Sequence, residues 1–162
     1  MLVVADTGPL HYLVLIAQAD VLASLYIRIL VPAAVIEEMR QARTPPSVRN
    51  WVSHPPEWLD VQADPPPDAT LRILDPGERA AISLALSLGA GRILIDDWDG
   101  RAEAVRRKLR VTGTLGVLVL AHQRGLLDFE TALARLSQTN FYLSADLVRA
   151  VRLRLPNGDQ AP

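Results

Sequence analysis

Short, unbroken apolar runs that stop abruptly at an acid or a helix breaker constrain this chain more than any other feature. Leu2-Val3-Val4-Ala5 stops at Asp6-Thr7-Gly8-Pro9, and Arg92-Ile93-Leu94-Ile95 stops at Asp96-Asp97-Trp98-Asp99-Gly100. Runs this short, with no polar alternation, are strands buried on both faces. Ile27 to Val31 has the same character, Val111 begins a further short strand, and Trp58 to Val61 suits a sheet edge. Helical stretches separate them: Thr7 to about Gln18, Val21 to Tyr26, a segment opening at Pro32, and one from Asp75 to Leu88. Others run from Arg101 to Leu109, Thr114 to Arg124, Phe129 to Leu136 and Ser144 to Leu153, with a short one around Val48 to Val52. Strands alternating with helices predict an α/β/α sandwich around a mostly parallel sheet of about four to five strands.

The 162 residues are 49% hydrophobic and 22% charged, which describes a globular chain and excludes wholesale disorder. The length suits a single domain over residues 1–155, with 156–162 as a frayed tail. A net charge of −1 excludes a protein that coats nucleic acid through bulk charge. The absence of cysteine excludes disulfides, zinc fingers and thiol catalysis, and fits a cytoplasmic setting. No basic segment precedes the first apolar run, and the uncharged stretch from Thr7 to Ala19 is shorter than the ~20 residues that span a bilayer. A soluble protein is expected.

A parallel sheet gathers the ends of its strands along one edge, and Asp6, Glu38, Glu78 and Asp97 all fall at ends of strands or helices. Carboxylates brought together repel one another and lose solvation, so such a cluster is a candidate site for Mg²⁺ or Mn²⁺. Each acid also has a plainer use. Asp6 is placed to cap the next helix, and Glu78 completes a capping box with Asp75. Of Glu37 and Glu38, the second continues the buried stripe from Val35 and is the one that faces inward. Asp97 and Asp99, two apart, allow one to point inward while the other supports it; Thr7 offers a hydroxyl to a carboxylate. His11, His54 and His122 are scattered and form no constellation.

Five blocks in order resemble the PIN domain family, in its branch of VapC-like toxins. They are Ala5-Asp6-Thr7-Gly8-Pro9-Leu10, Val31-Pro32-Ala33-Ala34-Val35-Ile36-Glu37-Glu38-Met39, Leu74-Asp75-Pro76-Gly77-Glu78-Arg79-Ala80-Ala81-Ile82, Ile93-Leu94-Ile95-Asp96-Asp97 and Val111-Thr112-Gly113-Thr114-Leu115-Gly116. The resemblance implies a metal-dependent endoribonuclease with catalytic, metal-binding acids at Asp6, Glu38, Glu78 and Asp97; from its spacing to Asp97, Asp99 is expected as a supporting contact to the metal. It also implies RNA as substrate, a small antitoxin as partner, and a homodimer. Two positions depart from the family pattern: Glu78 stands where many members have Asp, and Ile95 where a Thr is frequent.

Water is the expected nucleophile, because no protein nucleophile accompanies the acids. Arg101, closest to them on a helix that also carries Arg106, Arg107 and Lys108, is the expected phosphate contact, although a solvated basic face accounts for the rest. With only eight aromatic residues, an extended base-stacking surface is not expected. A PIN-like module acting through protein binding is the competing function. The pair Asp96-Asp97 also resembles receiver-domain acids but follows the wrong strand, and Asp6-Thr7-Gly8 resembles an aspartic protease motif without the β-rich context.

Overall fold

The computed structural model describes residues 1–155; the segment 156–162, expected to fray, lies outside them. The first apolar run forms β1 (Val3–Ala5), followed by α1 (Thr7–Leu15) and α2 (Val21–Tyr26). Next come β2 (Ile29–Pro32), α3 (Ala33–Arg40), α4 (Pro46–Ser53) and β3 (Leu59–Gln62). The chain returns through α5 (Pro76–Ser87), β4 (Arg92–Leu94), α6 (Trp98–Arg106) and β5 (Val111–Thr112). It finishes with α7 (Thr114–Gln123), α8 (Phe129–Leu136) and α9 (Ala145–Arg152). All strand pairings are parallel, in the order β3-β2-β1-β4-β5. The strand order reverses beside β1, and in open α/β sheets that is where a crevice forms at the strands' C-terminal edge.

Side-chain alternation along the strands builds two cores. Val3, Ala5, Ile29, Val31 and Leu94 pack on one face with α1, α2, α7 and α8; Val4, Leu30, Ile93 and Ile95 pack on the other with α5 and Ala104 of α6. The three layers follow from this period of two. Helix α5 starts where expected, with Asp75 accepting from the Glu78 amide and Glu78 reaching back to the Asp75 amide.

Several boundaries move for local reasons. Ile27 closes α2 at φ +67°, so its strand begins at Ile29, and Pro32 ends that strand instead of opening the helix. Helix α6 begins at Trp98, not Arg101, because Asp97 caps it by accepting from the Asp99 and Gly100 amides. Most of the apolar side chains of α7 turn into the chain's own core: Leu115, Val117, Leu118, Val119 and Ala121 are all buried there. The basic helix is partly neutralised as well, since Arg106 and Arg107 pair with Glu103, and Arg107 also reaches Asp68 and Thr70.

Candidate active site

The amide of Asp6 donates to the Leu94 carbonyl at 2.9 Å, so the β1–β4 ladder itself fixes this residue at the sheet edge. The side chain is 5% exposed. It occupies the cap position of α1 yet makes no side-chain cap hydrogen bond, and its Oδ1 is buried without a partner. Burial foremost pushes the carboxyl well above its ordinary range; the Thr7 amide opposes this, and Asp75, Glu78 and Glu38 push it further up.

Glu38 lies in the last turn of α3 and faces inward, while Glu37 pairs with Arg40 in solvent. The Thr7 hydroxyl donates to Glu38 Oε2 at 2.6 Å, and the Gly77 amide donates to Oε1 at 2.8 Å. Glu38 thus rests on the N-terminus of α5, where a negative charge is favoured. The approach is close: a Cβ at position 77 would lie 2.5 Å from Oε2, so the Glu38 carboxylate would have to move aside.

Glu78, one residue further on, is 6% exposed. Its carboxyl is pushed up to about 7, by burial first and then by the charges of Asp75, Asp97 and Glu38, against the Asp75 amide. Its carboxyl carbon lies 3.5 Å from where a Cβ on Gly100 would stand, and the Gly100 amide donates to Asp97 Oδ1 at 3.1 Å. Asp97 itself is exposed and closes the row.

Asp6, Glu38, Glu78 and Asp97 therefore share one edge, where Glu38 acts on both Asp6 and Glu78, and Asp97 acts on Glu78. They do not converge on a common point: among the described residues no three acidic or histidine side chains stand at metal-ligand spacing. Three of the four are turned instead toward backbone amides at the starts of α5 and α6. The donor set is all oxygen, which suits a hard divalent cation, and the unpartnered Asp6 oxygen is the atom such an ion would satisfy.

Two further expected residues lie on α6 beside Asp97. Asp99 is exposed on the first turn of α6 and offers Asp97 its amide, not its carboxylate. Arg101 is half-buried, donating to the Ile95 carbonyl at 3.0 Å. Two acids were undervalued by sequence. Asp75 is more than a cap, since its charge raises both Asp6 and Glu78. Asp96 is half-buried beside the site, with Oδ1 accepting from the Thr114 amide at 2.7 Å and Oδ2 from the Thr114 hydroxyl at 2.6 Å. The doubled Asp96-Asp97 was the available signal for it.

Comparison with known proteins agrees with this geometry. A family model described as PIN domain (DUF3368) matches residues 2–156. No curated protein matches the chain significantly. PIN domains are generally nucleases, typically dependent on divalent metals, and no helix among the described residues is long and apolar enough to cross a membrane. With a parallel sheet, an acidic edge and a match over nearly the whole length, this chain belongs to the PIN domain family.

Proposed function

We propose that this chain is a metal-dependent endoribonuclease of the VapC-like branch, acting as one domain over residues 1–155. Asp6, Glu38, Glu78 and Asp97 would hold Mg²⁺ or Mn²⁺. The observation that carries this reading is Asp6: a buried carboxylate with an unpartnered oxygen and three acids raising its proton affinity. An anion so placed is costly unless a cation sits against it. Bound there, the ion would supply Lewis acidity to a water and to the phosphodiester oxygens.

The residues around it divide the work. Asp6 is the immobile ligand, tied to β4 through its amide. Thr7 and Gly77 aim Glu38. Glu78, with its carboxyl pushed up to about 7, is partly protonated at neutral pH and would have to give up that proton to hold a cation. Asp97 is the exposed member and faces the incoming substrate. The resemblance adds a small antitoxin covering this edge and a homodimer.

A second reading, a weakened PIN module acting through protein binding, is favoured by one observation. The Glu78 and Asp97 carboxylates already cap helices instead of converging. Cleavage of a mixed RNA pool with Mg²⁺ or Mn²⁺ decides between them. Metal-dependent cleavage should fall by at least about a hundredfold in Asp6→Asn and in Asp97→Asn. Wild-type protein that cleaves nothing with either metal would establish the binding module instead.

A further inference from the structure

A groove of about 910 Å³ opens beside the acidic edge, between the first turn of α6, α7 and the segment leading into α9. Four of the chain's eight aromatic residues line it: Tyr12, Trp98, Phe141 and Tyr142. Trp98 and Tyr142 are 81% and 83% exposed, so large flat rings are held out in water at its lip. Tyr12 and Phe141 form a fixed wall behind them. Their rings meet edge to face with centroids 4.8 Å apart, and the Tyr12 hydroxyl donates to Asn140 Oδ1 at 3.0 Å.

The lining is cationic. Arg92, Arg101 and Arg154 contribute to it against two acids, Asp96 and Asp97, and Asp96 is already satisfied by Thr114. Arg92 Nε is a buried donor without a partner. Asp97 lines this groove and is also one of the charges acting on Glu78, so the groove and the acidic edge are continuous.

We propose that this groove receives an unpaired nucleobase adjacent to the scissile phosphate, stacked on Trp98 and Tyr142. The position relative to the scissile bond rests on the nuclease reading; the base-binding role does not. Aromatic faces take any base, and arginines along the same wall meet the phosphates on either side of it. A duplex keeps its base faces stacked inside and presents only edges, ribose and phosphate. An apolar protein segment would fill the groove without using its arginines.

The test is equilibrium binding of a short, labelled, mixed-sequence RNA, single-stranded or as a duplex, to Asp6→Asn protein. Single strands should bind at least roughly tenfold more tightly than duplex. Adding Trp98→Ala or Tyr142→Ala should weaken single-strand binding by roughly tenfold each, and Trp98→Phe should restore most of the loss. Both side chains are largely in water, so circular dichroism should not change. Single-strand affinity indifferent to Trp98→Ala, duplex bound as well as single strand, or no RNA binding at all would overturn the proposal and point to a protein segment in the groove. Cleavage by the wild type without Trp98 dependence of binding sinks the groove and leaves the nuclease. Trp98-dependent binding in a protein that never cleaves does the reverse.

Discussion

Asp6 and Asp96 end neighbouring strands of one sheet, Asp6 buried and Asp96 half-buried, and desolvation raises the proton affinity of both. They differ in what meets them. Asp96 accepts two hydrogen bonds from Thr114 and lies beside the Arg101 cation, so the fold itself accounts for it. Asp6 keeps one carboxylate oxygen without a partner, with only the Thr7 amide in its favour and the charges of Asp75, Glu78 and Glu38 against it. An acid the fold satisfies is architecture; a buried one it leaves unsatisfied is waiting for something from outside.

Substitution should separate the two roles most strongly. Asp96→Ala removes the acceptor of the Thr114 amide and hydroxyl, and the free energy of unfolding should fall by about 3 kcal/mol in denaturant titrations. Asp6→Asn relieves like-charge repulsion, so metal-free protein should hold or gain thermal stability while metal-induced stabilisation disappears. Equal destabilisation by both would erase the distinction.

The glycines beside each acid sharpen it further. A Cβ at Gly113 would stand 2.7 Å from Asp96 Oδ1 and 2.8 Å from Arg101 Nη1, against groups the fold holds still. Gly113→Ala should therefore cost about 1–2 kcal/mol of stability. Gly77→Ala would push on the Glu38 carboxylate, the end of a flexible side chain. Its larger effect should be weaker Mn²⁺ binding by calorimetry, with stability less affected.

The smallest effect is in pH. Glu78 binds its proton more tightly folded, at about 7, than at its ordinary 4.5. Metal-free stability should therefore fall as pH rises from about 4.5 to about 7. Glu78→Gln keeps the capping geometry and should flatten this slope without abolishing it, since Asp6 and Asp96 shift in the same direction. A slope unchanged in Glu78→Gln would place the repulsion elsewhere.

What was legible in the sequence was local. Alternating buried runs specified the sheet, Val35 plus three chose Glu38 over Glu37, and Asp75-Pro76-Gly77-Glu78 specified the start of α5. What was not legible lies between distant segments. Glu38 meets the Gly77 amide across 39 positions, and Asp96 meets Thr114 across 18. The groove's rings come from α1, α6 and the segment before α9, so counting eight aromatics could not show that half of them meet. Charge counting likewise saw a basic helix, where the fold shows Arg107 tying down Asp68 and Thr70.

The order of the strands also has a consequence in time. β1 is the first of the five strands to be synthesised, yet it ends up in the centre, flanked by β2 and β4. The Leu94 carbonyl that fixes Asp6 is made only after α5 is complete. Until then a growing chain on the ribosome has Asp6 in water and its acidic edge unassembled, because long-range parallel pairing forms late. The acidic edge therefore exists as a unit only once the chain has been made through Asp97.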